Sequence, residues 1–476
     1  MVAGAAGAAM VVAGLSLVRS QTHAAAAAER TPRPVFLATP LLSLRRAPGA
    51  VVDAVARSNL ERAMRAAIAG PLACAAVHVD GRLVASIDVG RALTPASTMK
   101  VLTALTLLEQ RAGNFRFATS VHVVDPVPGD GVIAGDLSLV GGGDPTLATP
   151  RYEEYVRSTA RFASDPLTPL QGLVDALRDA GVRRIEGAVV GDGSRYSDVT
   201  YLDTWKPNYR TEGQVGPIGA LTVNHGFADF APPRPVDDPA RYAAEQLTVL
   251  LERSGIDVAG DARAGRVDGA DEEIATIRSP RLVDIVAGML TSSDNTTAEM
   301  LLREAAVASR RGNDTATGAA VLRSTLEARG VGLDDATILD GSGLSAGDRL
   351  TCRTLIDAIT IADPTVDDGL ADAGESGTLA TRFVGHVLQG RLHAKTGQLS
   401  GVVGFVGVID GVDGRPAVRF AFLANGNFGT AEGQAFQQRV AEAAATYPEA
   451  PDGSTLVPPP VSRPVSLPAP LSGATR

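Results

Sequence analysis

The sequence predicts an α/β (α+β) domain in which helices flank one antiparallel sheet and a large β-rich insertion interrupts the chain. Alternating apolar residues on either side of Asp80-Gly81 predict a β-hairpin over residues 74–89, because an Asp-Gly pair is a favoured two-residue turn. Strand patterns return near the other end of the chain, over 391–409 and 416–424. Because helical segments surround both groups of strands, we expect the hairpin and the later strands to share one sheet.

Helix signals accompany these strands along the chain. Residues 51–70 have a helical periodicity that stops at Gly70, and a second helix opens at Pro95 and ends near Gly113. Residues 118–255 differ, because glycine and proline break them into short strands; we call this segment the inserted module. Further helices are predicted over 167–180 inside the inserted module and over 282–290, 296–309, 316–330 and 431–446 after it.

Both ends of the chain lie outside the predicted domain. The first 18 residues are almost wholly apolar and small residues follow, which is typical of a secretory signal, although no Lys or Arg precedes the apolar run. The segment can be a cleaved signal or an N-terminal membrane anchor, and both interpretations predict export to the cell envelope. The predicted division is 1–30 signal or anchor, 31–50 linker, 51–117 with 256–449 discontinuous α/β domain, 118–255 inserted module and 450–476 Pro-rich disordered tail.

Composition excludes several classes of function. The chain has 476 residues and a net charge of −9 without a long basic stretch, which argues against a nucleic-acid partner. Its two cysteines, Cys74 and Cys352, are too few for a disulfide-dense scaffold or a multi-cysteine zinc site. They can form one disulfide in an exported protein or remain two buried thiols, and the sequence leaves both alternatives open.

Lysine is rare in this chain. Lys and Arg together number 44, yet only Lys100, Lys206 and Lys395 are lysine. Arginine stays protonated near neutral pH, whereas a lysine that is desolvated or close to another cation can accept a proton. Two of the three lysines lie in short motifs with serine or threonine, which codon bias alone does not explain. The sequence therefore predicts amine chemistry at Lys100 and Lys395.

Ser97 and Lys100 stand three residues apart at the predicted start of a helix. Residues with this spacing share one helical face, so the hydroxyl and the amine can meet. A serine needs a base to become a nucleophile, and a neutral lysine can be that base. Free backbone N–H groups at a helix start also favour developing negative charge. Taken alone, the pattern is also typical of a serine cap followed by an ordinary helical lysine.

A second motif, Ser293-Asp294-Asn295, lies between two predicted helices. A turn at this place can direct the Ser293 hydroxyl and the Asn295 amide into one cleft. The alternative interpretation is helix capping, because Ser, Asp and Asn are the preferred N-cap residues.

A third motif, Lys395-Thr396-Gly397, lies on a predicted strand and is followed by Gln398. Lys395 would supply a cation for a carboxylate, and Thr396 a hydroxyl beside it. Gly397 would let a substrate backbone approach closely. The alternative is an ordinary strand end with a surface lysine.

The three motifs occur in the order S-x-x-K, S-D-N, K-T-G, which is shared by class A β-lactamases and penicillin-binding proteins. The interval between the first two motifs holds the whole inserted module, and in this respect the chain resembles the D-alanyl-D-alanine carboxypeptidase/endopeptidase family of low-molecular-mass class C penicillin-binding proteins. Gln398 departs from the threonine common there. Further matching stretches are Gly135 to Leu147, Asp340-Gly341-Ser342-Gly343-Leu344 and Gly377-Thr378-Leu379.

The resemblance implies a serine β-lactamase/DD-peptidase-like catalytic domain and a serine-type D-Ala-D-Ala carboxypeptidase, with DD-endopeptidase activity as an addition. It implies that peptidoglycan stem peptides are substrates, that β-lactams acylate Ser97, and that no metal or organic cofactor is needed. Two alternatives remain: a β-lactamase or esterase on the same scaffold, and a non-catalytic peptidoglycan- or β-lactam-binding protein. The implied roles are Ser97 as nucleophile, Lys100 as base, Ser293 as proton relay, and Asn295, Lys395, Thr396, Gly397 and Gln398 as substrate-binding residues.

Overall fold

The structure, a computed structural model, describes residues 48–267, 272–412 and 414–450. The predicted signal or anchor over 1–30 lies outside the described residues, as do most of the predicted linker and nearly all of the predicted tail. Val55–Ala450 forms one compact unit that contains every candidate site residue. Within the described ranges, no helix is long and apolar enough to cross a membrane.

One antiparallel sheet combines strands from both ends of the chain. Its strands are β1 (Leu72–Val79), β2 (Arg82–Ile87), β15 (Ala371–Asp372), β16 (Leu392–Leu399), β17 (Val402–Ile409) and β18 (Val418–Asn425). They lie in the order β15-β16-β17-β18-β1-β2, and β1 pairs with β18 along its full length. The prediction that the N-terminal hairpin and the later strands share one sheet is therefore confirmed.

The central strands of this sheet are buried on both faces because helices cover each side. Toward one face, Phe405 and Phe422 pack with Leu60 of α1 (Pro48–Ala67) and Val440 of α12 (Thr430–Ala445). Toward the other face, Val406 and its neighbours pack with a layer of helices. The first two motifs lie on or next to three of them, α2 (Met99–Gln110), α7 (Leu282–Ser292) and α8 (Asn295–Ala308). The others are α9 (Thr315–Ala328), α10 (Cys352–Thr360) and the short α11 (Pro364–Asp368).

A disulfide joins this sheet to its helical layer. Cys74 on β1 and Cys352 at the start of α10 are bonded, with a Cα–Cα distance of 5.8 Å and a sequence separation of 278 residues. Both residues are fully buried within the hydrophobic core between the sheet and the helices. Of the two alternatives that the sequence left open, the structure has the disulfide.

A second, smaller sheet occupies the inserted module. Its order is β13-β9-β5-β3-β14, in which β3 is Ala118–Val123 and β14 is Glu272–Arg278. Because β14 pairs antiparallel with β3, this sheet continues beyond residue 255, where the sequence places the return to the main domain. The other strands of this region are β4 (Val132–Ile133), β5 (Leu137–Val140), β6 (Leu147–Ala148), β7 (Thr168–Pro169), β8 (Arg184–Ile185), β9 (Val189–Asp192), β10 (Phe227–Phe230), β11 (Pro233–Pro235), β12 (Asp257–Val258) and β13 (Arg263–Ala264).

The inserted module also contains helices. Only α4 (Gln171–Asp179) was predicted, close to its observed bounds. The longest, α6 (Pro239–Arg253), begins with an Asp238 cap and a proline in its first turn, which is a recognised start signal. The remaining two are α3 (Pro150–Ser158) and the single-turn α5 (Asn208–Thr211).

Candidate active site

Ser97 lies in a short 3-10 turn, Ala96–Thr98, immediately before α2. Ala96 takes a positive φ of 48°, a conformation that is uncommon for a residue other than glycine. A Cβ atom at Gly343 would overlap the Ala96 carbonyl oxygen, so glycine is required where the Asp340–Leu344 loop passes the turn. Ser97 is therefore held on a constrained turn at the N-terminal end of the buried helix α2.

Lys100 is fully buried and its ammonium group has three acceptors. Its Nζ donates to Ser97 Oγ at 2.9 Å, to Asn295 Oδ1 at 2.6 Å and to the Ser342 carbonyl oxygen at 2.9 Å. The contact predicted between Ser97 and Lys100 is thus present. The Ser342 carbonyl was not predicted as a partner, although its stretch was singled out in the sequence.

Burial lowers the pKa of Lys100 from 10.5 to about 8. The nearby carboxylates of Asp294, Asp340 and Glu299 oppose this shift, and the Arg161 guanidinium adds to it. An amine with this pKa is neutral in about a tenth of the molecules at pH 7, far more than an unperturbed lysine. The site therefore offers a base within hydrogen-bonding distance of a serine hydroxyl.

Ser293 and Asn295 lie on either side of the residue that caps α8. Asp294 is the N-cap, and its carboxylate accepts from the Thr297 N–H. Ser293 takes the left-handed conformation, with φ 62°, as α7 ends. Because Asp294 does the capping, the side chains of Ser293 and Asn295 are left to line a shared cavity. The Asn295 Nδ2 group donates to the Gln214 carbonyl oxygen at 2.6 Å.

The third motif lies on β16, opposite the Ser97 turn. Lys395 is fully buried, and its Nζ donates to the Thr396 carbonyl oxygen at 2.9 Å. Burial lowers the pKa of Lys395 well below its ordinary value, and repulsion from the Lys100 and Arg161 cations adds to this. The alternative interpretation, an ordinary strand end with a surface lysine, is wrong because Lys395 is buried. Thr396 is the motif residue that lines the cavity.

Gly397 allows β16 to approach the nucleophile turn. A Cβ atom there would lie 2.8 Å from the Pro95 carbonyl oxygen and 3.2 Å from the Ser97 backbone nitrogen. The close approach expected at this glycine is therefore made by the protein's own turn. Gln398, the next residue, lines the cavity and donates from Nε2 to the Thr430 carbonyl oxygen at 3.1 Å.

These side chains surround a cavity of about 490 Å³. The cavity is lined by Ser97, Ser293, Asn295, Thr396 and Gln398 among the predicted site residues. The cavity is also lined by residues to which the sequence assigned no role. The main ones are Arg161 and Gln214 from the inserted module and Thr378. The Thr378 Oγ1 accepts a hydrogen bond from Thr396 Oγ1 at 3.0 Å.

Arg161 could have been found only from the fold. It lies in the loop after α3, and its Nε donates to the Ser292 carbonyl oxygen at 2.7 Å, next to the second motif. No motif surrounds it, and about 130 residues separate the two contacting positions. The turn at Ser293, which follows its partner Ser292, was predicted, but nothing in the sequence connects this turn with Arg161.

A serine hydroxyl held by a buried lysine, in a cavity shared by two further motifs, defines an active-site serine hydrolase of the penicillin-recognising type. The sequence profile of the D-Ala-D-Ala carboxypeptidase 3 (S13) family matches residues 54–232 and 230–447. The chain belongs to this family. The predictions of the family, the fold class and a carboxypeptidase are therefore confirmed, and the family places the chain among the peptidases of the cell envelope.

Named relatives agree with this assignment. A carboxypeptidase of Mycobacterium tuberculosis is 34% identical over 352 residues, covering 70% of this chain and 71% of the relative. A D-alanyl-D-alanine carboxypeptidase of Actinomadura sp. is 28% identical over 460 residues, covering 79% and 81%. Among solved structures, penicillin binding protein 4 of Haemophilus influenzae has the same fold, with a TM-score of 0.67 at 20% identity over 81% of this chain and 98% of that one.

The pKa of Lys100 leads to a prediction about acylation and pH. With a pKa of about 8, the neutral fraction of Lys100 rises roughly tenfold between pH 7 and pH 9. We expect the second-order rate constant for acylation by benzylpenicillin to rise about tenfold over this range, because the neutral amine is the active form. Stopped-flow measurement of acylation, with circular dichroism as a folding control at each pH, checks this. A flat profile, or one that falls with pH, would contradict it.

Proposed function

We propose that this protein removes the terminal D-alanine from peptidoglycan stem peptides that end in D-Ala-D-Ala, through an acyl-enzyme on Ser97. The observation that carries the proposal is the 2.9 Å contact between Lys100 Nζ and Ser97 Oγ in a buried site. A neutral Lys100 takes the hydroxyl proton as Ser97 attacks the penultimate D-Ala carbonyl. Water then hydrolyses the ester and regenerates the serine.

The developing oxyanion needs two donors close to the nucleophile. We assign these to the backbone N–H groups of Ser97 and Gln398, which lie on the two segments that Gly397 brings together. Their approach is supported by the 3.2 Å separation between a Cβ built at Gly397 and the Ser97 nitrogen. A larger residue at position 397 would push the two donors apart.

Ser293 and Asn295 serve the leaving group and the substrate backbone. Ser293 lines the cavity beside Ser97, from where its hydroxyl passes the proton from Lys100 to the departing amine. The Asn295 Nδ2 group donates to the Gln214 carbonyl oxygen in the free protein. On binding, it exchanges this acceptor for an amide carbonyl of the stem peptide, while Oδ1 keeps its contact with Lys100.

The terminal carboxylate of the substrate is assigned to the Thr396 side of the cavity. Thr396 and Thr378 present a pair of hydroxyls there, joined at 3.0 Å. Lys395 lies beside this pair, and repulsion from the Lys100 and Arg161 cations, added to burial, disfavours its charged form in the free protein. We assign it to the carboxylate, whose negative charge favours the protonated amine when substrate binds. β-Lactams, whose carboxylate and strained amide mimic these groups, would acylate the same serine.

Export is part of the proposal. The buried disulfide between Cys74 and Cys352 is of a kind that forms and persists in oxidising compartments. It agrees with the apolar N-terminal segment of the sequence and with a substrate in the cell wall. Whether that segment is cleaved or stays as an anchor can be decided by N-terminal sequencing of the protein recovered from its host.

Mass spectrometry of defined substrates tests the activity. Purified protein is incubated with a pentapeptide ending in D-Ala-D-Ala, with a cross-linked dimer, and with benzylpenicillin. Release of one D-alanine from the pentapeptide is the expected result, and cleavage of the dimer would add endopeptidase activity. Rapid turnover of benzylpenicillin without peptide cleavage would instead identify a β-lactamase, and stable penicillin binding without any cleavage a non-catalytic binding protein. Either of these results would overturn the proposal.

A further inference from the structure

His225, a residue of the inserted module, contacts Asp294 in the motif Ser293-Asp294-Asn295. Its Nδ1 lies 3.2 Å from Asp294 Oδ2, and the Tyr152 hydroxyl is 3.1 Å from the same nitrogen. The ring also makes a hydrogen bond with the backbone carbonyl of Pro145, in the glycine-rich stretch noted in the sequence. A single imidazole thus connects two loops of the inserted module to the second motif.

The partners of this ring favour its protonated form. A carboxylate and a backbone carbonyl can only accept, and a neutral imidazole has one N–H to donate. The doubly protonated ring can donate to both acceptors, whereas a neutral ring would leave one of them without a donor from His225. Burial lowers the pKa of His225, but the charge and hydrogen bond of Asp294 together with the charge of Asp165 outweigh it and raise the pKa above its ordinary value.

Three further titratable or charged groups face this ion pair of His225 and Asp294. Tyr152 comes from α3, and Asp165 and Arg161 come from the loop that follows it. Burial raises the pKa of Asp165 to about 7, with a contribution from Asp294. Burial opposes ionisation of Asp294 too, yet the His225 cation and the Thr297 hydrogen bonds hold its pKa well below the usual range.

Asp294 matters to the chemistry in two ways. It caps α8 between Ser293 and Asn295, so its position fixes the turn that presents both side chains to the cavity. Its charge is also the strongest of the nearby charges that favour the protonated form of Lys100. An uncompensated carboxylate here would hold Lys100 in the form that cannot act as a base.

We propose that His225 is a positioning residue of the reaction: the inserted module supplies, through this imidazolium, the positive charge that compensates Asp294 and leaves Lys100 able to accept the Ser97 proton. The proposal rests on the proposed function, in which Lys100 is the base. It gives the inserted module a defined part in catalysis, because the module carries both His225 and the Pro145 carbonyl that orients the ring.

The substitution His225→Asn tests this by removing the charge. Asparagine retains an N–H donor near the position of Nδ1, and it tolerates the positive φ of 52° at this residue. The contact of the ring with the Pro145 carbonyl is lost as well, and loss of that contact alone would lower the rate equally at every pH. The pH midpoint of penicillin acylation is then expected to move upward by about one unit, so that acylation falls roughly tenfold at pH 7 and recovers at high pH.

A second variant, Asp294→Asn, allows a double-mutant cycle. It keeps an N-cap for α8 but removes the carboxylate, so the pH midpoint of penicillin acylation is expected to move downward. In the double variant His225→Asn/Asp294→Asn neither charge is present, and the midpoint should return close to that of the wild type. His122→Gln is the matched control, because His122 bonds Ser120 on β3, in the small sheet of the inserted module, and should leave the midpoint unchanged.

The outcomes separate this inference from the proposed function. If the wild type is not acylated at Ser97, or its rate does not depend on Lys100, the proposed function fails before the cycle begins. If the wild type behaves as proposed but His225→Asn lowers the rate equally at every pH, His225 has only a structural role and the inference is overturned. An unshifted midpoint in Asp294→Asn would overturn it independently, even if His225→Asn did not fold.

Discussion

Replacing Ser97 with alanine is expected to abolish covalent labelling by benzylpenicillin and to reduce release of D-alanine by at least about a thousandfold. The reason is chemical: Ser97 is the residue whose hydroxyl lies 2.9 Å from the Lys100 amine on the wall of the cavity. Without Oγ there is no atom to form the ester, and Lys100 has no proton to remove. Fluorescent penicillin labelling and peptide release, measured on the same preparation, check this result.

The control for Ser97→Ala is the same change at an exposed position. Ser158 ends α3, and its hydroxyl bonds only the Tyr155 carbonyl oxygen among the described residues. Ser158→Ala should label and turn over like the wild type. Equal thermal unfolding of the two variants would show that any loss in Ser97→Ala is not a loss of fold. Retained labelling of Ser97→Ala would exclude Ser97 as the nucleophile.

The second large effect is expected from Lys100→Arg. Arginine keeps the positive charge but cannot lose its proton in a protein, so it cannot accept one from Ser97. Its wider guanidinium must also fit a fully buried site built for three acceptors around one nitrogen. Acylation is expected to fall by about a thousandfold or more, at every pH rather than only at low pH.

Lys206→Arg provides a matched control for this substitution. Lys206 is exposed in the inserted module, and its Nζ lies 5.9 Å from the centre of the Tyr209 ring, a contact that arginine can also make. The variant should retain the wild-type acylation rate. If Lys100→Arg were acylated as fast as Lys206→Arg, Lys100 would not be the base, although Ser97 could still be the nucleophile.

Local sequence signals predicted most of the main sheet, but not its two-residue edge strand β15. The Asp80-Gly81 turn defined the hairpin, and strand patterns over 391–409 and 416–424 indicated its C-terminal partners. By contrast, β14 was not anticipated. It pairs with β3 across about 150 residues, and no property of either strand alone specifies such a partner.

The candidate site was predictable where chemistry is local and not where it depends on packing. Ser97 and Lys100 are one helical turn apart, so their contact follows from spacing. The orientation of Lys395 does not follow from spacing. Strand alternation indicates that Lys395 and Thr396 face opposite sides of the sheet, but only the packed structure shows that Thr396 is the one that lines the cavity. Two other contacts could not be predicted either. The Ser342 carbonyl contacts Lys100 because of the local backbone conformation, and His225 contacts Asp294 from a loop that is distant in sequence.

The inserted module is the largest part of the chain for which the sequence suggested no role. In the structure it supplies Arg161 and Gln214 to the cavity and His225 to the second motif. Its division from the catalytic domain at residues 118 and 255 stays a prediction. Its residues nevertheless contact the second motif of the proposed active site, so that changes in the module are expected to alter catalysis without touching the proposed nucleophile.

The most direct test of the central claim is to locate the acyl group. Protein treated with benzylpenicillin is digested, and the adduct is mapped by tandem mass spectrometry. We predict a single penicilloyl group on Ser97, in the peptide that contains Ser97-Thr98-Met99-Lys100. An adduct on Ser293 or on any other residue, or no adduct in a folded protein, would contradict the assignment of Ser97 as the nucleophile and of this cavity as the active site.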